Sequence, residues 1–163
     1  MKNKGEILAE ILKSYKECYF FLHNTKEFIN VENIMNEGFI FESQLPHSTD
    51  RVNPNDPVEI TYFFFQRKEY GSYTIVLAIP KDVYDKYSAV SVNLGIEIED
   101  LITITEPFYG ENDELIYTVS PKHVLGYFSL KTTEFYKNKN WDPFFNNCIS
   151  ASPKPKLIKP GKK

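Results

Sequence analysis

A short apolar run, Cys18-Tyr19-Phe20-Phe21-Leu22-His23, most constrains the fold of this chain. It reads as a buried strand, and its polar end, His23-Asn24-Thr25, sets an imidazole and a hydroxyl at the strand's mouth. Thr25 or Asn30 caps a short helix over 31–37, and Gly38 stands where a helix C-terminus favours glycine. Phe39-Ile40-Phe41 then returns as a brief strand. Strand, helix and strand in so short a stretch demand a layered fold of sheet and short helices.

The remaining segments follow the same reading. Ile7, Leu8, Ile11, Leu12 and Tyr15 recur at helical spacing, so 5–17 reads as an amphipathic helix. Residues 44–57, with Pro46, Pro54 and Pro57, read as an irregular loop that carries His47, Ser48, Thr49 and Arg51. Residues 58–66 read as an aromatic strand, with Ile60, Tyr62 and Phe64 on one face and Thr61, Phe63 and Phe65 on the other. Gly71 turns that strand into a hairpin partner running from Tyr73 to Ile79. Residues 81–88 are predicted helical, 107–110 a loop, 114–119 a strand, and Pro121 a turn into a strand ending near Phe128. A short helix is predicted over 132–136, and Trp141 to Phe145 packs back on the core. The stretch 89–105 admits strands around an acidic turn.

At 163 residues the chain reads as one α+β domain over 1–150 with a basic Pro- and Lys-rich tail over 151–163. Thirteen Phe and eleven Tyr argue against disorder, because burying such rings offsets the entropy of ordering the backbone. The net charge of −3 supplies no global attraction for nucleic acid and leaves a local basic face open. Cys18 and Cys148 form no metal-binding spacing, which is the cysteine usage of a reducing compartment. No apolar run reaches the roughly 18 residues of a membrane span, and the first residues do not read as a signal peptide. The expectation is a cytoplasmic protein with no membrane partner; His47 and His123 are expected at the surface.

Three segments together resemble the ADP-ribosyltransferase superfamily. The first is Leu22-His23-Asn24-Thr25 followed by Ile34 and the Gly38-Phe39 pair. The second is the aromatic stretch 60–65 after a polar loop, and the third is Glu114-Leu115-Ile116-Tyr117 with Pro121-Lys122-His123-Val124-Leu125-Gly126. The resemblance covers roughly 20–130 and implies an α+β fold of small, mainly antiparallel sheets flanked by short helices. It implies NAD as substrate and transfer of ADP-ribose to a macromolecular acceptor, protein or nucleic acid, by a toxin or defence effector. Cleaving the nicotinamide–ribose bond builds positive charge on the sugar, which a carboxylate at Glu114 stabilises. Arg51 joins Glu114 as the second catalytic candidate, orienting it or binding the pyrophosphate. His23 and Thr25 contact the ribose, phosphate or adenine end, and Tyr62 or Phe63 stacks on nicotinamide. Asn24 replaces the family's usual glycine between His and Thr, and a Ser-Thr-Ser strand is missing.

Each of these residues also has a plainer use. His23 serves equally as a half-buried imidazole donating to a carbonyl, Thr25 as a helix cap, and Arg51 as a surface cation. Glu114 beside Glu111 and Asp113 reads as a solvated acidic turn, and the aromatic stretch as core. A non-catalytic binding domain of the same fold is therefore a second reading. A third is transfer of an RNA 2′-phosphate to NAD, for which Arg51, Arg67 and Lys68 are the nearby cations.

Overall fold

The central strands are buried on both faces, and alternate side chains enter two different cores. The computed structural model describes residues 2–15, 17–42, 50–67, 71–85, 106–113 and 115–145. In chain order these hold α1 (Lys4–Lys13), β1 (Cys18–Thr25), α2 (Phe28–Glu37), β2 (Phe39–Glu42), β3 (Asp50–Val52) and α3 (Pro57–Arg67). β4 (Tyr73–Pro80), β5 (Glu106–Tyr109), β6 (Leu115–Val119), a 3-10 turn (Pro121–His123), β7 (Val124–Ser129) and β8 (Phe135–Lys137) follow. A five-stranded antiparallel sheet has the order β3-β1-β4-β7-β8, and a three-stranded antiparallel sheet the order β2-β6-β5. The fold is α+β.

Side chains two apart along a strand share a face. Phe21, Ile75, Leu77, Ile79 and Val124 join Val31 and Ile34 of α2 and Phe39 and Val119 of the small sheet in one core. Phe20, Leu22, Val76, Ala78, Leu125 and Phe128 meet Leu8 and Leu12 of α1 and Ile60 and Phe64 of α3 in the other. The large sheet is thus a partition, with α1 and α3 on one side and α2 and the small sheet on the other.

Three expectations are corrected. Residues 58–66 form a helix, not a strand, and the hairpin with 73–79 does not exist: β4 pairs with β1 and β7 instead. The expected helix over 132–136 is a turn with Thr133 at φ 58° leading into β8. The expected loop at 107–110 falls largely in β5. The strands expected at 18–23, 73–79 and 114–119 (of the last, 115–119 are described), and the turn at Pro121 into β7, are where the sequence places them. Trp141 packs against the α1/α3 core, its indole N–H donating to the Ala78 carbonyl at 3.0 Å. Only 81–85 of the helix expected at 81–88 are described, and they are helical; 89–105 lies outside the described residues. The tail also lies outside them. No helix among the described residues is long and apolar enough to cross a membrane.

Candidate functional site

His23 lies near the C-terminal end of β1, half-buried, on the face turned to the small sheet. α2 and the Gly38 turn return the chain so that Phe39 opens β2 beside it, with ring centroids 4.7 Å apart. That return needs glycine: Gly38 has φ +98°, and an added Cβ would strike the Val119 carbonyl oxygen. The strand-end His and the Gly-aromatic pair, separated in sequence by a helix, therefore meet where the two sheets adjoin.

The register extends this place across the large sheet. His23 pairs with Ile75, Ile75 with Tyr127, and Tyr127 with Tyr136, while Thr25 pairs with Tyr73. Tyr73 and Tyr127 approach edge to face at 6.0 Å, and Phe28 of α2 touches both at 5.5 and 5.6 Å. Tyr136 stacks on Tyr127 at 4.8 Å with planes 19° apart. These rings make an aromatic floor on the same face as His23. Burial, then Tyr73 and Glu32, raise the Tyr127 phenol above its usual range. Strand periodicity carries the signal for Tyr73, in phase with Ile75, Leu77 and Ile79; for Tyr127 the register shift beside Gly126 hides it, because its in-phase neighbour Leu125 faces the other core.

Thr25 is 6% exposed, and its hydroxyl accepts from Asn30 Nδ2 at 3.0 Å, tying the strand end to the first turn of α2. Its expected contact with a cofactor competes with this bond. Asn24 points the other way and donates to Thr74 Oγ1 at 3.1 Å. Tyr62 and Phe63 are not brought to His23. They belong to α3, on the far side of the large sheet, where Phe63 packs on the α1/α3 core and Tyr62 is 56% exposed.

Arg51 is not at His23 either. In β3 it stands opposite Phe21, and its guanidinium leans over Tyr19 at 4.3 Å, with Tyr84 at 5.5 Å. It lines a cleft of about 500 Å³ with Lys13, Asn53, Asn55, Glu59 and Lys81. Cys18 also reaches this cleft; burial and Glu17, against Lys81, push its thiol up to about 11, so it is no nucleophile at neutral pH. Glu114 lies outside the described residues, as do His47, Lys68 and the Arg67 side chain. The end of β6 beside Phe39 is Val119; Leu115 pairs with Tyr109 at the other end.

His123 is corrected from surface to core. It is 1% exposed, neither ring nitrogen has a hydrogen-bond partner among the described residues, and Phe145 lies edge-on at 5.0 Å. No group of three or more His, Cys, Asp or Glu among the described residues is arranged to hold a metal ion. Searches of protein-family models, curated proteins and solved structures found no match to the chain.

Proposed function

We propose that the chain cleaves NAD and transfers ADP-ribose to a macromolecular acceptor, in a fold of the ADP-ribosyltransferase type. The observation that supports this most is the meeting of His23 with Phe39 at the junction of two antiparallel sheets. In this reading His23 hydrogen-bonds a ribose hydroxyl or phosphate, and Glu114 stabilises the positive charge that grows on the ribose as nicotinamide departs. Tyr73 and Tyr127, on the face that carries His23, take the stacking role that the sequence had assigned to Tyr62 and Phe63. An aromatic floor suits this partner, because the nicotinamide ring of NAD is cationic and aromatic faces attract cations.

The test is release of nicotinamide from labelled NAD, with protein and nucleic-acid pools offered separately as acceptors. Label is expected in one pool, and Glu114→Gln is expected to lower turnover about 10²–10³-fold, the usual effect of removing one transition-state stabiliser. Its thermal midpoint should stay near that of the parent. Turnover in Glu114→Gln equal to the parent would remove the glutamate from the chemistry, and no release in either pool would end the NAD reading.

A further inference from the structure

The cleft at the opposite end of β1 has its own chemistry. Tyr19 and His23 are four residues apart on one strand face, about 13 Å at the rise of a strand. Phe21 fills the position between them, 2% exposed, with Tyr84 against it at 5.9 Å. That pair of rings separates the Arg51 cleft from His23.

Inside the cleft, the Arg51 guanidinium lies over the Tyr19 ring at 4.3 Å, and the Lys81 ammonium stands 5.7 Å from the same ring. Among the described residues neither Arg51, Lys13 nor Lys81 makes an ion pair or a side-chain hydrogen bond. Of the neighbouring carboxylates, Glu59 accepts from the Asn53 amide at 3.3 Å, Asp85 from the Tyr19 hydroxyl at 3.2 Å and Asp82 from the Val83 amide at 2.9 Å, while Glu17 adds its charge beside Cys18. A guanidinium poised over two tyrosine rings, its fork of N–H donors unengaged among the described residues and two ammonium groups lining the same cavity, is a receptor for a tetrahedral oxyanion.

We propose that this cleft is a phosphate-binding site, with Arg51 gripping two oxygens and Lys13 and Lys81 flanking the charge, for a phosphate carried by a nucleotide or by a single nucleic-acid strand. The proposal stands on the cleft alone and does not require the NAD reading. Glu114→Gln therefore binds phosphate like the parent whatever happens to NAD turnover.

The test is a titration followed by backbone amide shifts in the full chain, using inorganic phosphate, NAD and a short single-stranded RNA in turn. Each phosphate-bearing probe that binds is expected to move the amides of Arg51 to Asn55 and Lys81. The tighter of NAD and RNA identifies the source of the phosphate. Arg51→Gln is expected to weaken binding about tenfold or more, and Arg51→Lys to recover only part, since a point charge lacks the fork. Lys137→Gln, whose ammonium lies over Trp141 and Tyr15, is expected to bind like the parent. A folded Arg51→Gln variant that titrates like the parent, or no movement of these amides with any of the three probes, would overturn the site.

Discussion

The residue most at odds with its surroundings is His123. Burial pushes its imidazole down to about 4 from the ordinary 6.5, with the Asp142 carboxylate pulling weakly the other way. The unfolded chain takes up this proton near pH 6.5, whereas the folded chain resists until about pH 4. Between those values the unfolded state binds more protons, so stability rises with pH and is complete above about 6.5. The loss on acidification to pH 4 is on the order of 3 kcal/mol for this one group. Denaturant melts at pH 7 and pH 4.5 should show that drop, and His123→Leu should flatten it whatever its effect at pH 7. An unchanged slope in the variant would mean that other groups govern acid sensitivity. Sequence gave no sign of this burial, since Pro121-Lys122-His123 reads as a polar turn and the ring is covered by Phe145, a residue remote in local pattern. His23 was more legible, because its place at a strand end follows from the apolar run before it.

At the scale of elements, α3 shows how an aromatic stretch misleads. Alternation gives 60–65 two aromatic faces, which reads as a central strand, yet Ile60, Phe63 and Phe64 also fall at helical spacing and are the residues turned to the core. The deciding signal lies just ahead of them. Asp56 accepts from the Glu59 amide at 3.0 Å as an N-cap, and Pro57 takes the first helical position, where its missing N–H is harmless. Helix α3 also meets α1 closely: a Cβ on Gly5 would collide with the Thr61 hydroxyl and approach the Pro57 carbonyl to 2.6 Å. Asp56→Ala should therefore destabilise the fold by about 1 kcal/mol, read as a lower urea midpoint with an unchanged slope. Asp56→Ser should restore most of the loss, and failure to do so would assign the effect to charge rather than capping. The misreading matters for function as well, because it moves Tyr62 and Phe63 to the side of the sheet away from His23.

Across the whole molecule, strand order was the least legible property, since β1 pairs with β4 over a gap that encloses α2, α3, β3 and a strand of the other sheet, β2. The segment after β8 binds these distant parts together. Asn138, 2% exposed, presents its amide N–H groups to the carbonyls of Met35 in α2, Pro121 and Val124 at 3.0, 3.3 and 3.1 Å. Three residues on, Trp141 reaches the other face of the sheet, meeting Tyr15 edge-on at 5.4 Å and the Ala78 carbonyl. One short stretch thus ties α2 on one side of the partition to the α1/α3 core on the other. Two N–H donors cannot serve three carbonyls at once, so the amide shares its bonds; removing it takes a partner from each, although Met35 keeps the Asn140 amide at 2.9 Å and Pro121 keeps the Val124 N–H. Asn138→Ala should destabilise the fold by about 1–3 kcal/mol. Trp141 is the single tryptophan, so its emission reports on this stretch directly. In the variant, emission should shift to the red at a lower denaturant concentration than the loss of far-ultraviolet circular dichroism, because the tie opens before the sheet. If the two transitions coincide, the stretch unfolds with the sheet as one cooperative unit, and the tie does no more than add to global stability.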